Sequence, residues 1–109
     1  MVKGIAYIQP LSVNEAWQGK RFKTKKYKSY EIELLYLLPP LQIPKGNLDI
    51  DIEFGFSNVA KDIDNPVKPF LDILQKRYTF DDKRIYKLTI VKKIVPKGSE
   101  YIAFKINEN

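Results

Sequence analysis

The sequence predicts an α+β fold, a single domain over residues 1–109 in which a mixed β-sheet carries two helices in the order βαβαββ. Two patterns carry that prediction. Leu48, Ile50, Ile52, Phe54 and Phe56 alternate with Asp49, Asp51, Glu53 and Gly55, the period of two that buries one face of a strand. Shortly after, Val67, Phe70, Leu71, Leu74 and Tyr78 follow the spacing of a helix that turns one stripe to a core.

Taken in order, residues 2–9 are short, β-rich and stopped by Pro10, and read as a first strand. Residues 10–24 show neither period and read as a long loop, of a length uncommon in a compact domain unless it is functional or disordered. A helix is expected from Lys25 to Leu38, with Tyr27, Tyr30, Leu34, Leu37 and Leu38 inward and Pro39-Pro40 ending it. The clear strand 47–56 comes next, then a connection over 57–61. The second helix is expected to be capped by Asn65 with Pro66 in its first position, which leaves Pro69 one backbone bond short at the fourth. Two strands close the chain at about 84–95 and 100–107, joined by the turn Pro96-Lys97-Gly98-Ser99.

Composition narrows the chemistry. The chain has no cysteine and no histidine, which excludes disulfides, thiolate sites, thiol nucleophiles and imidazole bases or ligands. Any metal must be held by oxygen, and the residue set points to a hard cation such as Mg²⁺. Nineteen Lys and Arg against thirteen Asp and Glu give a net charge of +6, which favours polyanionic partners such as nucleic acid. No run of about 18 apolar residues and no signal-peptide core are present, so no membrane association and a cytoplasmic location are expected.

The chemistry-bearing segment is Asp62-Ile63-Asp64-Asn65-Pro66-Val67-Lys68, followed by Asp81-Asp82. In an extended approach to a helix Asp62 and Asp64 point the same way. Asp64, Lys68 and Asp72 recur every four residues, a stripe separate from the apolar one. The Asp81-Asp82 pair opens the next strand and can return beside the helix start. Converging carboxylates repel unless a cation lies between them, and Mg²⁺ with one or two carboxylates and its own waters suits phosphate-ester hydrolysis. Each piece alone has a structural reading: Asp64 or Asn65 as a helix cap, Asp81-Asp82 as a polar turn, Lys68 as a partner for Asp64 or Asp72. A cap, however, requires neither Asp62, nor a lysine, nor a second acidic pair. Asp49, Asp51 and Glu53 read as a solvated strand face without a role.

The order Asp-x-Asp-Asn-x-x-Lys, then Leu71-Asp72-Ile73-Leu74, then Asp81-Asp82 resembles the signature region of the RusA-type Holliday-junction resolvases. Ser12-Val13-Asn14, Trp17, a basic aromatic stretch and a tyrosine-bearing helix extend the resemblance over about residues 5–106. It implies a homodimeric, Mg²⁺-dependent endodeoxyribonuclease that resolves four-way DNA junctions in recombination and repair, with Mn²⁺ able to replace Mg²⁺. It also implies metal binding and catalysis by Asp62, Asp64 and Asp82, with Lys68 in support. Asp81 is a weaker candidate ligand.

Residues 18–28 carry six Lys or Arg among eleven, with Phe22 and Tyr27 interleaved. Lys20, Arg21, Lys23, Lys25 and Lys26 are expected to hold DNA phosphates, while an aromatic ring can stack on an unpaired base. The bland alternative is a solvated basic loop, and Trp17 reads as an anchor of the loop. Two other function classes stay open: a non-catalytic branched-DNA-binding accessory protein, and a metal-dependent hydrolase of small phosphate esters.

Overall fold

The computed structural model describes residues 1–19 and 22–109. Its centre is the strand that the period of two predicts, Leu48–Phe56, whose Leu48, Ile50, Ile52, Phe54 and Phe56 are all buried. Numbered in chain order, the strands are β1 (Val2–Ala6), β2 (Trp17–Gln18), β3 (Phe22–Lys23), β4 (Leu48–Phe56), β5 (Ile85–Ile94) and β6 (Tyr101–Glu108). The helices are α1 (Val13–Ala16), α2 (Lys25–Leu37) and α3 (Val67–Tyr78), with a 3₁₀ turn at Asp82–Arg84.

The four long strands form one mixed sheet in the order β1-β6-β4-β5, with β4 parallel to β5 and antiparallel to β6. The turn at 96–99 is present, with Gly98 at φ +94° and the Ser99 N–H donating to Pro96 O at 2.9 Å. It does not make a hairpin, because β6 lies on the far side of β4 from β5. The short connection carries the chain across the end of the central strand.

The two long helices share one core with the sheet. Phe70 of α3 packs between Phe54 of β4 and Phe104 of β6, at centroid distances of 6.1 and 6.0 Å. Tyr27, Tyr30 and Leu34 of α2 join that cluster. Glu31 on α2 meets Lys76 on α3 at 3.2 Å, and Tyr78 donates to the Pro39 carbonyl at 2.7 Å. The α2 stripe is as expected, with Leu37 half-buried and Leu38 buried at the helix end.

Four local expectations need correction. The first strand stops at Ala6 rather than running to residue 9, since its partner strand β6 pairs it only from Val2 to Ala6. The 10–24 segment is structured: Ser12 caps the one-turn helix α1, and β2 and β3 form a small antiparallel ladder. The second long helix begins at Val67 with Pro66 in the cap position, its carbonyl accepting from Phe70 N–H. Pro69 then falls within the first turn, where no N–H finds a partner inside the helix, so its missing donor costs nothing. Finally, Asp49, Asp51 and Glu53 are half-buried, not solvated. They line a concave opposite face of the sheet, where Tyr101 lies across Glu53 and donates to its carboxylate.

Candidate active site

Asp62 and Asp64 lie in the connection that leaves the C-terminal end of β4 and turns into α3. Two short bonds shape it: Asn58 Oδ1 accepts from Ala60 N–H at 2.9 Å, and Asn58 O accepts from Lys61 N–H at 3.2 Å. Lys92 on β5 holds it from below, its ammonium donating to the carbonyls of Val59, at 3.0 Å, and Lys61. Asn65 is not the side-chain cap of the helix. Its amide donates to Asp62 Oδ2 at 3.3 Å, and its carbonyl accepts from Val13 N–H at 2.8 Å, which ties α1 to the acidic loop. Both carboxylates are exposed to solvent.

Between α1 and this loop is a cleft of about 270 Å³ lined by Ser12, Asn14, Glu15, Asp62 and Asn65, among others. Glu15 is a member that sequence reasoning missed. Its signal was there: Ser12-x-x-Glu15 has the spacing of a capping box, which marks a helix start. A larger hollow of about 730 Å³ exists on the opposite sheet face, lined by Lys3, Asp51, Glu53 and Lys105. It is the concavity of an uncovered sheet, and none of the motif residues reaches it, so size does not decide which of the two is the site.

The basic segment stands at the same end of the molecule. Thr24 closes the β2–β3 ladder onto α1, accepting nothing from it but donating twice: N–H to Ala16 O at 3.0 Å and Oγ1 to Glu15 O at 2.7 Å. Lys23 pairs with Glu31 at 3.3 Å and lies over the Tyr27 ring, and Lys26 pairs with Glu15. Lys25 is exposed and, among the described residues, makes no ion pair. Lys20 and Arg21 lie outside the described residues. Phe22 projects into solvent, 72% exposed, whereas Trp17 is half-buried edge-on to Tyr27, the anchor expected of it.

Lys68, in the first turn of α3, points to solvent and pairs with Asp72 one turn on, at 3.4 Å. Asp82 is elsewhere. The return of Asp81-Asp82 beside the start of the helix, which the sequence allowed, is ruled out by topology. Because β4 and β5 are parallel, with Leu48 beside Ile85 and Phe56 beside Ile94, α3 carries the chain back along the whole sheet before β5 begins. Asp82 is therefore at the N-terminal end of β4. There its N–H donates to Gln75 Oε1 at 3.1 Å, and neighbouring Arg84 donates to the carbonyls of Gly46, at 2.9 Å, and Pro44. A helix of twelve residues is about 18 Å long, which sets the scale of the separation. Asp81 caps the 3₁₀ turn: its carboxylate accepts from Lys83 N–H at 2.9 Å, and that bond, with a further one to Asp82, holds its pKa below the usual range.

Among the described residues no three carboxylates come close enough together to share a cation. Asp62 and Asp64 supply hard oxygen donors in the number that Mg²⁺ takes, and Asp82 is not beside them.

A model of the endodeoxyribonuclease RusA family matches residues 9–103 of the 109. The chain belongs to the RusA endodeoxyribonuclease family. No curated protein matches the sequence. The matched residues span the cleft, the β2–β3 ladder, the acidic loop and Asp82, and the family is one of endodeoxyribonucleases. Among the described residues no helix is long and apolar enough to cross a membrane.

Proposed function

We propose that this RusA-family chain is a structure-specific endonuclease that resolves four-way DNA junctions by hydrolysing phosphodiester bonds, working as a homodimer and requiring Mg²⁺, which Mn²⁺ can replace. The observation that carries the reading is a juxtaposition: the Asp62–Asp64 loop and the basic β2–β3 segment are tied through α1 into one end of the molecule. Phosphate-binding cations beside hard-oxygen donors are what a metal-dependent phosphodiesterase needs. Asp62, Asp64 and Asp82 are proposed as the metal-holding acids, and a bound Mg²⁺ would supply charge compensation at the phosphate. Lys68, on the exposed side of α3, is proposed to face charge that develops on the phosphate or leaving oxygen, releasing Asp72 to do so. Lys20, Arg21, Lys23, Lys25 and Lys26 are proposed to hold the DNA backbone, with Lys25 the readiest because Lys23 and Lys26 already have acidic partners.

The test is incubation with a labelled four-way junction and with a linear duplex of the same sequence, each with and without Mg²⁺. Symmetrical cuts in the junction alone, and only with the cation, are expected. Binding to the junction without cutting under any divalent cation would instead favour an accessory DNA-binding protein. Hydrolysis of small phosphate esters with weak, salt-insensitive DNA binding would favour a small-molecule hydrolase.

A further inference from the structure

We infer that a second cleft, adjoining that of the acidic loop, takes one unstacked nucleobase of the bound junction. The inference rests on the proposed binding of junction DNA and adds to it a recognition subsite away from the acids. The cleft has a volume of about 430 Å³ and lies between the segment that follows β1, the helices α1 and α2, and the turn before β6. It shares Pro10 and Glu15 with the cleft of the acidic loop. A base swung out of the stack near a phosphate held there therefore finds this recess next to it.

Tyr30 is the residue that points to a ligand. Its side chain, in the wall of the cleft, is 5% exposed, and its hydroxyl, set against the Leu11 backbone, has no hydrogen-bond partner of normal geometry. Burial pushes its pKa up, so the hydroxyl keeps its proton and is both donor and acceptor. A buried polar group without a partner costs stability, and a ligand that bonds to it recovers that cost. Gln9 and Ser29 line the same cleft, each a donor and an acceptor. Glu33 adds an acceptor that forms no ion pair among the described residues. Tyr7 presents a ring that is 70% exposed.

Three carboxylates in the lining would suit a small cation, but two of them are already engaged. Glu15 pairs with Lys26, and Glu100 accepts from Ser57 Oγ at 2.7 Å and from Gly98 N–H at 2.9 Å. What remains is a set of mixed donors and acceptors beside an exposed ring. That combination fits an extruded base, which needs bonds along its edge and a surface on which to stack. Lys26 sets a cation in the lining for the phosphate that such a base brings with it. Extrusion costs least where stacking is already broken, as at a branch point.

The test moves a single abasic nucleotide along the strands of a four-way junction, through the branch point, and measures affinity without divalent cation, so that cutting does not enter. With the wild-type protein, loss of the base at one position should weaken binding roughly tenfold, the scale of one base–ring stack. Tyr7→Ala should lose about the same on the intact junction and show no further loss at that position. Tyr36→Ala, at a residue 87% exposed on α2 and outside the cleft, should keep the wild-type pattern. Tyr30→Phe removes the hydroxyl and keeps the ring. It should unfold at the same or a higher urea midpoint, yet bind the intact junction several-fold more weakly. A wild-type profile with no sensitive position would overturn the inference, as would an abasic loss of equal size in wild type and Tyr7→Ala. Wild-type affinity in both Tyr7→Ala and Tyr30→Phe would do the same. Position-sensitive binding by a protein that never cuts would instead remove the nuclease reading and leave this subsite standing.

Discussion

Thr79 closes α3 at φ 54° and ψ 58°, a left-handed conformation in which a β-branched side chain is strained and glycine is not. Thr79→Gly should raise stability by about 0.5 kcal/mol or more, read as a higher urea midpoint, and a lower midpoint would show that the threonine contacts outweigh the strain. Glu31 has the opposite character, a native group at ease. Burial alone would push its pKa up, but hydrogen bonds and charge from Lys76 and Lys23 outweigh that and hold the pKa below its ordinary 4.5. A carboxylate depressed by folding adds stability above its unfolded value and loses it as pH falls through the folded one. Glu31→Gln should therefore cost about 1 kcal/mol at neutral pH, discounted for the exposed lysines, and the gap from wild type should shrink below pH 4.5. A gap that stays constant down to acid pH would mean that the pair contributes through packing alone. The same residue-level view explains why Asn65 and Pro66 were misplaced by one step in the sequence. Asn is a good cap in isolation, but its amide is taken by Asp62 and its carbonyl by Val13, contacts that no local pattern announces.

Among the elements, those with a long apolar period were legible and those held by single contacts were not. β4 declares itself through five inward residues, α3 through Phe70, Leu74 and Tyr78, with Val67 and Leu71 only half-buried and the fully buried Ile73 outside the stripe read from the sequence, and α2 through its tyrosines and the capping Thr24. The α1 turn and the β2–β3 ladder are too short for any period, and only the capping-box spacing at Ser12 and Glu15 marked them. The ladder carries part of the proposed DNA contact. Because Lys23 and Lys26 are engaged with Glu31 and Glu15, Lys25 is the cleaner probe of a phosphate contact. Lys25→Ala should leave folding intact and lower the slope of log affinity against log salt by roughly 1, measured on the junction across a salt series. An unchanged slope would take Lys25 out of the DNA interface.

At the scale of the whole molecule, strand order was beyond the sequence. Patterns along a chain give strands and their faces, but a tight turn at 96–99 says nothing of whether the next strand pairs with its predecessor or crosses it. The parallel β4–β5 pair then decides the site, sending Asp82 to the opposite end from Asp62 and Asp64, although all three share one short stretch of sequence. Where the motif residues stand relative to one another was not readable, because that is a property of topology. The most direct measurement of the account separates binding from cutting. Asp82→Asn keeps the side chain's shape and removes a charge, and Asp49→Asn, whose native carboxylate has a buried oxygen without a partner on the far sheet face, is the control. With Mg²⁺ present, Asp82→Asn should cut a four-way junction at least ~10²-fold more slowly than wild type, while its junction affinity without metal holds or improves and Asp49→Asn cuts normally. Full cutting by Asp82→Asn, or an equal loss in both variants, would contradict the role assigned to Asp82.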